Sequence, residues 1–273
     1  MDDECQFREV TVKFGGGDEV RVRELHVGAK AKSSPSSLKD PTSLLYHFSG
    51  CALCEAAVVL ARWVYGNSSL FQDKTVMELG AGCGLVGLVC AHFASRLYLT
   101  DRLPLVLDNL RHNVSINAAL ARKGPLLCKD ITATAQVHHL EWGEADAASR
   151  VFDPVDVAVG SEVIYLSAHV DLLMKVLDAY LLPEGVFYQI CAQEREGLDR
   201  VKAKVEERGD YRCDVAPVNI GELFPQRSST VEGGDGDDSQ SCCLLFDQVI
   251  DLRHFNPLED FSFVVTITKL RSK

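Results

Sequence analysis

The sequence predicts an α/β fold with a mostly parallel sheet, and three observations carry that prediction. Strand-like and helix-like segments alternate from about residue 50 to residue 207. A short apolar strand runs into a glycine-rich turn and straight on into a helix. The last third gives up the alternation for two strand-like stretches. Strands alternating with helices form right-handed βαβ units, whose strands lie parallel. A final antiparallel pair would close such a sheet.

At the amino terminus, Phe7, Val10, Val12 and Phe14 precede Gly15-Gly16-Gly17-Asp18, and Val20, Val22, Leu25 and Val27 follow it. Apolar residues at alternate positions around a glycine turn describe a β-hairpin. Lys30 to Asp40, rich in Ser, Lys and Pro, reads as an exposed loop. Between Gly50 and Tyr65, residues Ala56, Val59, Leu60, Trp63 and Val64 recur at steps of three and four, the spacing of a helix with one buried face. Strand Thr75 to Leu79 and the turn Gly80-Ala81-Gly82-Cys83-Gly84 lead into a helix ending near Ala94. There follow strand Leu97 to Thr100, helix Leu103 to Asn117, strands Val137 to Leu140 and Val155 to Val159, helix Ala168 to Leu181, strand Val186 to Cys191 and helix Gln193 to Glu207. In the helix bearing Val170, Leu173, Met174, Leu177 and Leu181, the apolar face is core. Tyr211 to Ile220 and Ser262 to Leu270 are strand-like and flank a polar loop, Pro225 to Gln240, whose acidic Asp235 to Asp238 reads as solvated. No internal repeat or second core emerges, so residues 1–273 are expected to form one domain, with a hairpin and loop extension over 1–49 and a core over 50–273.

With 273 residues, 47% hydrophobic and 25% charged, the chain has the balance of an ordinary globular protein and the length for a sizeable core. Disordered, collagen-like and disulfide-scaffold classes are excluded. Apolar runs such as Leu85 to Ala91 fall far short of the ~18 residues that cross a bilayer, so no membrane partner is expected. Met1-Asp2-Asp3-Glu4 is acidic where a secretory signal is basic, which points to a cytoplasmic or nuclear chain. Most of the ten cysteines, which have no repeating spacing, then read as buried thiols, and no disulfides are expected. Cys51-x-x-Cys54 lacks the second pair of a zinc site, because Cys242 and Cys243 are neighbours whose side chains point apart on a strand, and no metal is expected. A net charge of −11 disfavours nucleic acid and mildly favours a basic protein or peptide as partner. A monomer is expected.

Glycines at 80, 82 and 84 let the backbone turn tightly and approach a ligand closely. Gly82-x-Gly84-x-x-Gly87 also fits a dinucleotide fingerprint, so the glycines leave the ligand open. A phosphate loop is excluded, since no lysine lies between Lys74 and Lys123. Asp101, 17 residues after Gly84 at the end of the next strand, can accept both hydrogen bonds of a ribose diol, which suits NAD and S-adenosylmethionine alike. Glu78 tilts the balance towards S-adenosylmethionine, whose ammonium and sulfonium attract a carboxylate that would repel a pyrophosphate. The plainer reading of Glu78 is a strand-end charge facing solvent.

Six segments in one order narrow the choice: Cys54-Glu-Ala-Ala-Val-Val-Leu-Ala61, Met77-Glu-Leu-Gly-Ala-Gly-Cys-Gly-Leu-Val-Gly-Leu88, Thr100-Asp101, Asn109-Leu-Arg-His-Asn-Val114 with Asn117, Leu140-Glu-Trp-Gly143, and Gly160-Ser-Glu-Val-Ile-Tyr165. Spread over about residues 50–190, they resemble the seven-β-strand, family-16 methyltransferases, which include protein-lysine methyltransferases. The resemblance implies a Rossmann-like seven-stranded sheet, S-adenosylmethionine as cofactor, and a lysine of a protein substrate as methyl acceptor. It implies that Gly80, Ala81 and Gly82 run along the amino-acid end of the cofactor, that Asp101 binds the ribose, that Trp142 flanks the adenine and that Ser161 lines the same pocket. An indole suits an adenine because both present flat apolar faces; a core anchor is the alternative role for Trp142. Glu162 and Tyr165 are the catalytic candidates, Glu162 to accept a hydrogen bond from the incoming amine and Tyr165 to shape the channel with its ring and hydroxyl. The chain departs from the family's pattern at Cys54, where tryptophan is usual, at Glu162, where aspartate is usual, and in a long insertion from Ala118 to Ala135.

Methyl transfer is an in-line displacement, which asks for alignment and exclusion of water and needs no covalent protein nucleophile. Two rival classes stay open. The Glu162 change leaves room for a small molecule or a different side chain as acceptor, and the Cys54 change for an interaction module that binds the cofactor without turnover.

Overall fold

The computed structural model describes residues 5–27, 50–120, 127, 129–164, 167–191, 196–218, 223 and 263–271. The loops expected at Lys30 to Asp40 and Pro225 to Gln240 lie outside the described residues. The expected hairpin is present as β1 (Cys5–Lys13) and β2 (Glu19–Val27), paired antiparallel without a break from Cys5 opposite Val27 to Lys13 opposite Glu19. Its turn tightens into a short 3₁₀ segment, Gly15–Gly17, where Gly16 and Gly17 take φ of 71° and 92°. Asp18 closes the turn: its Oδ2 accepts from the Tyr65 hydroxyl at 2.8 Å and its Oδ1 from the Leu127 amide at 3.0 Å.

Among the described residues, seven more strands form one sheet: β3 (Thr75–Glu78), β4 (Arg96–Asp101), β5 (Ala135–His139), β6 (Val155–Ser161), β7 (Leu181–Cys191), β8 (Tyr211–Pro217) and β9 (Phe263–Lys269). Their spatial order is β5-β4-β3-β6-β7-β9-β8, with every pair from β5 to β7 parallel. β9 runs antiparallel between β7 and β8, so the expected antiparallel pair is present and β8 becomes the edge. Among the described residues, five α-helices cover the sheet: α1 (Glu55–Gly66), α2 (Leu85–Ala91), α3 (Pro104–Leu120), α4 (Ser167–Tyr180) and α5 (Glu196–Arg208). The boundaries move little from expectation. The largest change is at β7, which begins at Leu181 directly after α4 and takes a register irregularity opposite Val155 to Val157.

Strand periodicity sorts the core into two layers. Val76, Leu97, Leu99, Val157, Val159 and Ile190 pack with α1, α2 and α3 on one face, whereas Met77, Tyr98, Ala158 and Phe187 pack with α4 and α5 on the other. Both faces are covered, so these strands read as nearly continuous apolar runs. The hairpin adds Val10, Val12, Val20 and Val22 to the first layer.

Its docking is polar as well. Asn109, Asn113 and Asn117 recur at steps of four and so share one buried face of α3. Asn117 Oδ1 accepts from the Arg21 amide at 2.9 Å, and Asn113 Oδ1 from the Arg23 amide at 2.7 Å. Asn113 and Asn109 donate in return to the Arg23 carbonyl at 3.2 and 2.7 Å. Side-chain amides thus satisfy the outer edge of β2 as a neighbouring strand would.

Sheet order fixes where a ligand can enter. From β3 the chain steps to β4 and β5 on one side and then crosses to β6 on the other, so the order reverses at β3 and β6. Open α/β sheets bind ligands at the carboxyl ends of the strands flanking such a reversal.

Candidate active site

The four-residue strand β3 delivers the glycine turn to that crevice. Gly80, Gly82 and Gly84 all take left-handed φ, at 57°, 55° and 78°. The turn is anchored by Ala81 N donating to Thr100 O at 2.9 Å and Gly84 N to Ala81 O at 2.7 Å. A Cβ on Gly82 would stand 2.9 Å from the Gly50 carbonyl oxygen, so segment 50–54 lies directly against the loop. Cys83 Sγ donates to Cys51 O at 3.4 Å and holds the two together. At Gly80 an added Cβ would meet only Val163, which leaves that stretch of backbone open to a ligand.

Asp101 ends β4 beside the loop and is 9% exposed. Its Oδ2 accepts from Gly82 N at 3.2 Å and its Oδ1 from Leu103 N at 3.1 Å. Burial pushes its carboxyl up, and the amides of Leu103 and Gly82 pull it back. Leu140 N donates to Asp101 O at 3.0 Å, which brings Trp142, half-buried at the start of a 3₁₀ turn, to the same crevice. Lys175 of α4 ties that turn down through Gly143 O at 2.6 Å.

Ser161 is the last residue of β6, and Glu162 follows it, 5% exposed and with φ of 50°. A left-handed glutamate is uncommon, and such strain collects at functional sites. The Glu162 amide donates to Ile190 O at 3.3 Å. Ser161 Oγ lies 4.0 Å from Cys54 Sγ on the opposite wall.

These walls enclose a cleft of about 630 Å³, within the usual range for a small-molecule site. Of the residues singled out in the sequence, Gly80, Ala81, Gly82, Asp101, Trp142, Ser161 and Glu162 line it together. Glu78 is not in the lining. It is 1% exposed beneath the loop, where its Oε2 accepts from Gly87 N at 2.9 Å in the first turn of α2. Burial, helped by the Asp101 charge, outweighs that hydrogen bond and pushes its carboxyl up to about 8. Tyr165 lies outside the described residues. Where the family usually has tryptophan, Leu53, Cys54 and Ala57 complete the wall.

Sequence reasoning did not select Arg102, Leu103, Glu141, His169 or Leu172, which also line the cleft. Arg102 and Glu141 adjoin residues that were selected, and Leu103 lies two residues beyond Asp101. Leu172 carried a fainter signal, an apolar residue off the stripe of Val170, Leu173, Met174 and Leu177; His169 carried none. Chemically, the carboxyls of Asp101, Glu141 and Glu162 outnumber the Arg102 guanidinium in the lining, a balance that favours cations. Burial pushes the Cys51 and Cys83 thiols up, away from thiolate chemistry.

A family model described as lysine methyltransferase matches residues 45–205. The chain belongs to the lysine methyltransferase family. Its relatives include the protein-lysine N-methyltransferase EEF2KMT of Mus musculus, 30% identical over 207 residues that span 69% of this chain and 58% of that protein. The Homo sapiens EEF2KMT is 32% identical over 200 residues, 69% of this chain and 59% of that protein. The protein N-lysine methyltransferase METTL21A of Xenopus tropicalis is 34% identical over 112 residues, 41% of this chain and 46% of that protein. The chain therefore spans less than two thirds of the length of these relatives. Among solved structures, a methyltransferase from Pyrococcus furiosus aligns with a TM-score of 0.48 at 13% identity, over 78% of this chain and 83% of that one.

Proposed function

We propose that this lysine methyltransferase family member transfers a methyl group from S-adenosylmethionine to a lysine side chain of a protein substrate. The observation that carries the reading is convergence: a glycine turn, an aspartate, a tryptophan and a strained buried glutamate come from the ends of four strands to one cleft. The cleft fits the cofactor. Gly80 offers open backbone for an amino-acid moiety, the Asp101 carboxylate is built in beside the loop for a ribose diol, and the half-buried Trp142 indole suits an adenine face. The acidic lining suits a sulfonium and an ammonium. When bound, the cofactor supplies an electrophilic methyl group on a cationic sulfur.

The chain's own residues have the rest of the work. Methyl transfer needs a lysine nitrogen with a free lone pair, yet lysine ordinarily holds its proton to a pH near ~10.4. Glu162, buried at the cleft, is assigned to accept a hydrogen bond from the incoming ammonium and to steer its nitrogen. Desolvation on entry then favours the neutral amine, and the proton leaves to Glu162 or to water. Leu53, Leu103 and Leu172 keep that environment apolar. Tyr165 is proposed as the channel-shaping partner. The acidic balance of the chain, net −11, supports a basic protein surface as the substrate.

The deciding test is isothermal titration with S-adenosylhomocysteine beside Asp101→Ala, followed by labelled-methyl transfer to cell-lysate proteins with Glu162→Ala and Tyr165→Phe. Micromolar binding lost in Asp101→Ala, with label recovered as methyl-lysine, is the expected outcome. Binding without transfer to any lysate protein would favour the interaction-module reading.

A further inference from the structure

Both walls at the cofactor end of the cleft are tied to one strand of the amino-terminal hairpin. Glu24 of β2 is 5% exposed, and its Oε2 accepts from the Leu53 amide at 2.7 Å. Its Oε1 is gripped by Arg8 of β1, with Nε at 2.7 Å and Nη2 at 2.6 Å. One residue on, the Leu25 amide donates to Cys51 O at 2.7 Å. The segment that β2 holds in this way includes Leu53, a lining residue, and Gly50, which abuts Gly82.

The second wall is reached from the preceding residue of β2. Asn113 of α3 accepts from Arg23 N at 2.7 Å and donates to Cys83 O of the glycine loop at 2.9 Å. Cys54 is held by α1, its carbonyl accepting from Ala57 N at 3.1 Å and Val58 N at 3.4 Å, but residues 50–53 lie outside helix and strand, so their position depends on such outside partners. A buried charged acceptor is a strong one, and removing it leaves the Leu53 amide without its partner.

We infer that Glu24 is a positioning residue for the cofactor cleft, acting through the Leu53 amide, and that the hairpin is a clamp setting the spacing of segment 50–54 and the glycine loop. Glu24 is not in the cleft lining, so its effect is indirect. The inference rests on the proposed S-adenosylmethionine reading of that cleft. It goes beyond that reading in giving the hairpin, remote from the reacting atoms, a part in cofactor affinity.

The test compares four full-length proteins by titration with S-adenosylhomocysteine, well below their melting temperatures: wild type, Glu24→Leu, Glu24→Gln and Asn117→Ala. Glu24→Gln keeps an oxygen for the Leu53 amide. Asn117→Ala loosens the same hairpin at Arg21, away from the cleft. Expected are about a tenfold rise in Kd for Glu24→Leu, largely restored in Glu24→Gln, and a change under about twofold for Asn117→Ala despite a comparable fall in Tm. With a methyl-accepting substrate, the Glu24→Leu effect falls on KM for S-adenosylmethionine and spares kcat. If Glu24→Leu does not fold, Arg8→Ala loosens the same carboxylate from its solvent side and is expected to raise Kd about threefold. Binding by wild type with an unchanged Kd in the Glu24 or Arg8 variant, or an equal loss in Asn117→Ala, overturns the clamp. No binding by wild type overturns instead the cofactor reading and, with it, the inference.

Discussion

Replacing Gly82 by alanine isolates the contact on which the cleft's shape depends. The residue has φ of +55°, and a Cβ there would lie 2.9 Å from Gly50 O and 3.2 Å from Gly50 Cα. The left-handed conformation alone costs an L side chain about 1–2 kcal/mol. The collision adds to this because both opposing atoms are backbone: relief requires segment 50–54 and the loop to part. Parting them strains the weak bond from Cys83 Sγ to Cys51 O and, in part, the stronger one from Gly82 N to Asp101 Oδ2, which together add about 1–2 kcal/mol. The total is about 2–4 kcal/mol, or roughly 5–10 °C in Tm for a domain of this size. Gly80→Ala is the control, with φ of +57° but only Val163 Cγ1 at 3.3 Å to meet, so it carries the conformational cost without the backbone collision. Thermal unfolding by circular dichroism should rank wild type above Gly80→Ala above Gly82→Ala, and titration should find S-adenosylhomocysteine bound at least about tenfold more weakly by Gly82→Ala. Equal losses of Tm in the two variants, or an unchanged Kd in Gly82→Ala, would refute the reasoning.

Three further outcomes are expected. Asp101→Ala removes the partner of the Gly82 and Leu103 amides along with the proposed diol acceptor, and S-adenosylhomocysteine binding should weaken about a hundredfold by calorimetry. Glu78, with its carboxyl raised from 4.5 to about 8, binds a proton more tightly in the fold than in the unfolded chain. Its contribution is therefore full below 4.5 and lost as pH rises through about 8, so Tm should decline across that window and the decline should be shallower in Glu78→Gln; parallel Tm–pH curves would count against it. His92 works in the opposite window, because burial lowers its pKa from 6.5 to about 4 and its neutral form is the stable one. Stability present above 6.5 is lost as pH falls through about 4, and His92→Phe should resist that loss in an acid titration followed by fluorescence.

The alternation of strands and helices was legible because it depends on periodicity, which burial on both faces of the sheet imposes directly on the sequence. The position of β9 was not. A strand-like stretch at Ser262 to Leu270 says that an edge will be paired, but its insertion between β7 and β8 is a long-range choice with no local mark. In the candidate site, Ser161 was reached only through the family resemblance, whereas Gly80 and Asp101 could be picked out because a turn or a strand end is a local event. Leu53 and His169 could not, since the first lines the cleft by virtue of its contact with β2 and the second by the packing of α4. Asn109, Asn113 and Asn117 were visible as a motif, yet their partner, the edge of a strand about 90 residues earlier, is a product of the fold alone.

Glu78 joins these threads. In the sequence its charge is weighed against a cationic ligand, whereas in the fold its nearest partner is the amide of Gly87, at the positive end of α2. Asp101 does the same for Gly82 and Leu103, and Glu24 for Leu53. Each of these amides belongs to a loop or a helix start that no strand or earlier helical turn can satisfy. A crevice at the end of a parallel sheet is built from such segments, so buried carboxylates recur around it for structural reasons before any ligand arrives. A cationic ligand then meets a field already present, and its binding should draw the Glu78 proton off as the local charge turns more positive. The direction can be measured: the calorimetric proton release on binding S-adenosylmethionine, compared between buffers of different ionisation enthalpy, should exceed that for the uncharged-sulfur product and should shrink in Glu78→Gln. Equal release for the two ligands would mean that Glu78 supports only the helix and does not sense the sulfonium.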